Sequence, residues 1–167
     1  MRGRLLHRWA VGGATALVLT ASALALDNAD CFTCHDDKTL TKPGADGKPM
    51  ALFVDPAAYR TSVHGTNACT RCHTDITEAP HPDKFTAKSV TCASCHNKAA
   101  ASYKASAHFV ARQAGNGNAA QCQDCHGTHD IAQPTVPLSR LHRDQLATTC
   151  GKCHAAIVHD VQQSIHG

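Results

Sequence analysis

The longest apolar run in the chain is Ala10 to Leu24, and it follows a basic start of Arg2, Arg4 and Arg8. The run is rich in small residues and ends in Ala23-Leu24-Ala25, a small-x-small cleavage pattern. It predicts an export signal over residues 1–25, leaving residues 26–167 as the mature domain. The competing reading is an uncleaved membrane anchor. Against it, the run is short and is interrupted by Gly12, Gly13, Thr15, Thr20 and Ser22. No paired arginines mark a route for folded cargo, and Cys31 belongs to another motif, so a lipid-modified cysteine does not fit either.

Past the signal, helical periodicity comes only in short pieces. Asp55-Pro56 reads as an N-cap followed by proline in the first turn, opening a helix through Tyr59 to His64. Lys98 to Gln113 reads as a second helix, stopped by Gly115. Ala155 to Ser164 reads as a third, with Ile157, Val161 and Ile165 on one face and His159 with His166 on the other. Thr39 to Val54 carries Pro43-Gly44, Asp46-Gly47 and Leu52-Phe53-Val54 and reads as an extended excursion or small hairpin. A solvated spacer and a docking element fit it equally. The expected fold class is mainly α with much coil.

Composition changes this picture in one respect. The chain has 167 residues, of which 43% are apolar but only 4% aromatic, so side chains are a poor source of core volume. Something else must fill the interior. Disorder is excluded by the low charged fraction, 17%, and by the regular placement of the cysteines. Charge excludes another class. Losing Arg2, Arg4 and Arg8 lowers the 16 basic residues to 13, equal to the 13 acidic ones, so no basic footprint for nucleic acid survives.

All ten cysteines lie in five C-x-x-C pairs, each followed at once by histidine. The motifs are Cys31, Cys34, His35; Cys69, Cys72, His73; Cys92, Cys95, His96; Cys122, Cys125, His126; and Cys150, Cys153, His154. C-x-x-C-H is the attachment pattern of c-type haem: two thiols three positions apart can form thioethers with both vinyl groups of one porphyrin, and the next residue sits under the iron. Disulfide scaffolds and zinc ribbons also use C-x-x-C, but neither requires histidine after every second cysteine. The motif therefore predicts five covalent haems, and no cysteine remains for a disulfide or a nucleophile. Short helices and loops would wrap them, with the haems as the core. Their roughly ten propionates would make the holoprotein acidic, with a charge that changes on oxidation.

Five proximal histidines leave seven in the mature chain: His64, His81, His108, His129, His142, His159 and His166. Beside five irons, spare histidines are expected as sixth ligands. Met50 is the only methionine in the mature chain, so at most one haem could have Met/His coordination and the set should be mainly bis-histidine and low in potential. Ser62-Val-His64-Gly65, Ser106-Ala-His108 and Ser164-Ile-His166-Gly167 share a frame near the end of a helix-like segment. Arg140 and Arg143 around His142 place that residue at the surface.

The Ser-x-His-Gly frame before Cys69, the stretch from His73 to His81, and His126-Gly-Thr-His129 resemble the multihaem cytochromes c of anaerobic bacterial respiration. The resemblance covers nearly the whole mature chain and is closest to extracytoplasmic modules that exchange electrons with membrane quinone-linked partners. It implies His64, His81, His108, His129 and His166 as distal ligands, with His159 the alternative to His166. In the family a frame like Ser164 to Gly167 usually precedes a further attachment motif. Either His166 is the fifth ligand of a chain that ends here, or the sequence is one part of a longer assembly.

The expected function is a periplasmic, non-enzymatic electron carrier with five c-type haems, relaying electrons from quinone-linked donors to terminal reductases or extracellular acceptors. Its partners would be redox proteins held through small, transient interfaces, a membrane quinol-oxidising cytochrome among them. Membrane contact would come only through such partners or through an uncleaved signal anchor. The rival is a reductase of nitrite, hydroxylamine or a sulfur oxyanion, or its electron-donating subunit. That chemistry needs an exchangeable iron position, and catalytic relatives often replace a proximal His by Lys. Here all five proximal positions are His. A third reading is a polymerising cytochrome, in which His159 or His166 ligates a neighbouring subunit.

Overall fold

The computed structural model describes residues 26–44, 47–82 and 84–164. Residues 1–25, where a signal is expected, and Ile165 and His166 therefore lie outside the described residues. The architecture is mainly helical with much coil, comprising seven short α-helices and one two-stranded antiparallel sheet among the described residues. No helix among them is long and apolar enough to cross a membrane.

Several of the helices begin where a side chain satisfies free N–H groups of the first turn. Helix α1 (Asn28–His35) opens with a capping box: the Asp27 carboxylate accepts from Ala29 N at 2.9 Å and the Asp30 carboxylate accepts from Asp27 N at 2.8 Å. Strands β1 (Thr41–Pro43) and β2 (Pro49–Ala51) then form a hairpin with Thr41 opposite Ala51. Its turn passes through Gly47 at φ +77°, a conformation glycine adopts without steric cost. The excursion from Thr39 to Val54 is thus a hairpin that brings the chain back to α1: Val54 N donates to His35 O at 2.7 Å.

Helix α2 (Pro56–Thr61) is capped by Asp55, which accepts from Ala57 N at 2.8 Å and Ala58 N at 3.1 Å. It stops short of the expected His64. Ser62 turns extended, at ψ 164°, and its Oγ accepts from His64 N at 3.2 Å. The chain folds back so tightly that a Cβ on Gly65 would sit 2.6 Å from Tyr59 O and against Arg60 O. That contact is the physical reason for glycine after His64.

The single helix expected over Lys98 to Gln113 is two, α3 (Asn97–Lys104) and α4 (Ala107–Gln113). Ser106 leaves the helical region at ψ 156° and its Oγ accepts from Phe109 N at 3.2 Å, so a serine able to cap ends one helix and starts another. His108 accordingly lies at the start of α4, not near the end of a helix. Helix α5 (Cys122–His126) and α6 (Leu146–Gly151) follow, and α7 (Ala155–Gln162) closes the described chain.

The packing is unusual for a chain of this length. Among the described residues the buried hydrophobic side chains are Tyr59, 8% exposed, and Ala119, 9% exposed, while Val110, Leu138, Ile157 and Val161 are exposed. Ordering a backbone costs about 1–2 kcal/mol per residue, and two buried side chains cannot offset that over this chain.

Candidate functional site

The five motifs share one local geometry, a single helical turn. Cys31 to His35 completes α1, Cys122 to His126 is α5, and Cys69–Arg71 and Cys92–Ser94 are 3-10 turns. In the second, third and fifth motifs the histidine N–H donates to the first cysteine's carbonyl: His73 to Cys69 at 3.0 Å, His96 to Cys92 at 2.9 Å and His154 to Cys150 at 2.9 Å. Positions i, i+3 and i+4 of such a turn lie on one face, so both thiols and the imidazole point to the same side. No disulfide joins any of the ten cysteines.

The turns form a continuous series. Burial, then the neighbouring Cys31 thiol, pushes the Cys69 thiol up to about 11. Cys92 is raised by burial, then by Cys122 and more weakly by Cys72. Cys125 is raised by burial, then by Cys150, Asp124, Cys122 and Cys153. A thiol of each motif therefore lies within electrostatic reach of one of the next motif, in chain order.

Four of the five motif histidines face a second histidine. Ring centroids are 6.2 Å apart for His35 and His81, 6.1 Å for His73 and His129, 5.9 Å for His96 and His64, and 6.1 Å for His154 and His108. A metal–imidazole bond of roughly 2.0 Å, with roughly 1.1 Å more from nitrogen to ring centre, puts two trans ligands about 6.2 Å apart. All four pairs fit that spacing. Their interplanar angles differ: 25° for His73 with His129 and 29° for His108 with His154, against 45° for His35 with His81 and 65° for His64 with His96. Among the described residues no three His, Cys, Asp or Glu side chains gather as they would around a bare metal ion. The arrangement is one of facing pairs.

A hydrogen bond fixes the His35 ring, and others hold together the segments that carry the remaining rings. His35 Nδ1 lies 2.8 Å from Leu52 O, and because a carbonyl only accepts, Nδ1 carries the proton and Nε2 keeps its lone pair. Asn28 ties the first turn to the second, donating to Asn67 O at 2.9 Å and accepting from Cys69 N at 2.7 Å. Tyr59 donates to the same Asn67 carbonyl at 2.7 Å and stands edge-on to Phe32 and His129, with centroids 6.2 and 6.4 Å away. Val63 N donates to Ile131 O at 2.9 Å, holding the segments of His64 and His129 together. Gly127, at φ +87°, lets the chain turn between His126 and His129, where a Cβ would lie 2.6 Å from the Asp130 carboxylate. Asp130 in turn holds Arg140 at 2.8 Å on the rim of an open cleft of about 350 Å³ that His129 also lines.

The remaining expected ligands divide. His126 ends α5 without a facing ring among the described residues, and His166 lies outside them. His159 is exposed on α7, and Met50 is exposed on β2. His142 is not at the surface. Its side chain is only 14% exposed, because it caps the 3-10 turn Arg143–Gln145, with Nδ1 3.3 Å from both Asp144 N and the Asp144 carboxylate. The flanking arginines misled because a cap turns its side chain back over the chain while its neighbours face solvent. Tyr59, Asn28 and Leu52 were not singled out from sequence; Tyr59 carried a signal as one of the few aromatics, but Asn28 and the Leu52 carbonyl carried none. Comparison with protein-family profiles, characterised proteins and solved structures returns no match to this chain.

Proposed function

We propose that this chain is an exported pentahaem c-type cytochrome that carries electrons, akin to the multihaem cytochromes c of anaerobic respiration. The observation that carries the reading is that four of the five C-x-x-C-H histidines face another histidine at 5.9–6.2 Å, the separation of two axial imidazoles. His35, His73, His96, His126 and His154 would hold the five haem irons, and His81, His129, His64 and His108 would complete the sites of the first, second, third and fifth haems. The ten motif cysteines would attach the five haems through thioethers. Haem supplies reversible one-electron chemistry.

The chain's own residues set the path and exclude side reactions. Thiols that neighbour one another in chain order bring successive haem edges together, so electrons would pass from motif to motif in sequence order. A histidine on both faces of an iron keeps substrates from it. The haems also supply the apolar volume that the side chains lack.

Carbon monoxide tests the carrier reading against the reductase. The spectrum of the reduced holoprotein should be unchanged by the gas at the four paired sites, so at least about four-fifths of the Soret band should not shift. A larger shift would overturn the carrier reading and make nitrite, hydroxylamine and sulfur oxyanions the substrates to assay.

A further inference from the structure

We propose that the haem held by His73 and His129 accepts an electron before the haem held by His35 and His81, so that electrons arriving at the first haem move inward to the second. The inference rests on the cytochrome reading and adds a direction to it.

The two sites differ at the ring nitrogens that would face away from the iron. His35 Nδ1–H donates to Leu52 O at 2.8 Å. Such a bond raises ligand basicity and stabilises the ferric state, lowering the potential. His73 Nδ1 is buried without a hydrogen-bond partner, so its iron lacks that stabilisation.

Burial acts in the same sense. Iron in the ferric haem carries one more positive charge than in the ferrous one, and a low-dielectric site disfavours it. His73 and His129 are both half-buried. Tyr59, the most buried hydrophobic side chain among the described residues, stands edge-on to His129. At the first site His81 is exposed.

Nearby charge does not reverse the order. Asp75 lies near His73 but its carboxylate is engaged, accepting from Lys88 N at 2.6 Å; Asp130 lies near His129 but is paired with Arg140 at 2.8 Å. His35 is within electrostatic reach of both His73 and His129, so the two sites interact, and the first electron placed on either opposes the second.

Proton NMR of the holoprotein, poised at successive stages of reduction, tests the order haem by haem. Haem methyl resonances are assigned through contacts to Phe32 for the first haem and Tyr59 for the second. The second haem's methyls should lose their paramagnetic shifts in the earlier half of the titration, while the first haem's persist. In the same sample the Nδ1 proton of His35 should exchange slowly. Simultaneous loss, or earlier loss at the first haem, would overturn the inference. A chain bearing no haem would instead overturn the cytochrome reading itself, so the two failures are distinguishable.

Discussion

His64→Ala should turn one low-spin haem high-spin, and it should be the haem on His96, although His64 precedes the motif at Cys69 by only five residues in sequence. The two rings stand 5.9 Å apart with an interplanar angle of 65°. Crossed imidazole planes leave the iron's two π-type d orbitals close in energy, which gives a strongly anisotropic low-spin resonance; nearly parallel planes split them and give a rhombic one. The signal lost in His64→Ala should therefore be of the anisotropic kind, with about a fifth of the haem becoming five-coordinate and open to carbon monoxide. His129→Ala should instead remove a rhombic signal, because its ring lies at 25° to His73. Low-temperature electron paramagnetic resonance of both variants reads this directly. Loss of the same signal in both would show that the pairing is wrong.

The second large effect concerns folding. A chain with all ten motif cysteines changed to alanine, and so without covalent haem, should show no cooperative thermal transition and no near-ultraviolet ellipticity. Among the described residues the buried hydrophobic groups are Tyr59 and Ala119, and the apolar face of α7 carries Ile157 and Val161 half or more exposed. Burial contributes about 25 cal/mol per Å² of apolar surface, so these groups leave the backbone entropy far from offset. Changing only Cys150 and Cys153 should remove one haem and loosen α6 and α7 while the remaining motifs keep theirs. A cooperative transition in the fully substituted chain would mean that the polypeptide has a core of its own.

How much of this was readable in advance follows the range of the interactions. The motif is local: thiols at i and i+3 and imidazole at i+4 share the face of one turn, so sequence spacing alone exposes the candidate ligands. The fold class was equally legible, because aromatic scarcity and frequent breakers leave only short helices. Helix ends were less so. Ser62 and Ser106 look like helix residues in a periodic pattern, yet each uses its hydroxyl on a nearby N–H and ends or starts a helix there.

The pairings were not legible at all, since they depend on contacts that close long loops. Asn28 bonding to Asn67 and Cys69, and Val63 bonding to Ile131, decide which distal ring meets which motif. No periodicity encodes such contacts. His142 shows the same limit on a smaller scale: charged neighbours say where their own side chains go, and a capping ring between them turns the other way.

The central claim is that five haems are covalently bound and replace a side-chain core. Intact-mass spectrometry of the protein purified from its native host, under denaturing conditions, tests it most directly. The account predicts the mass of residues 26–167 plus five haems, with no free thiol left to alkylate. The bare polypeptide mass, with ten alkylatable thiols or five disulfides, would contradict it.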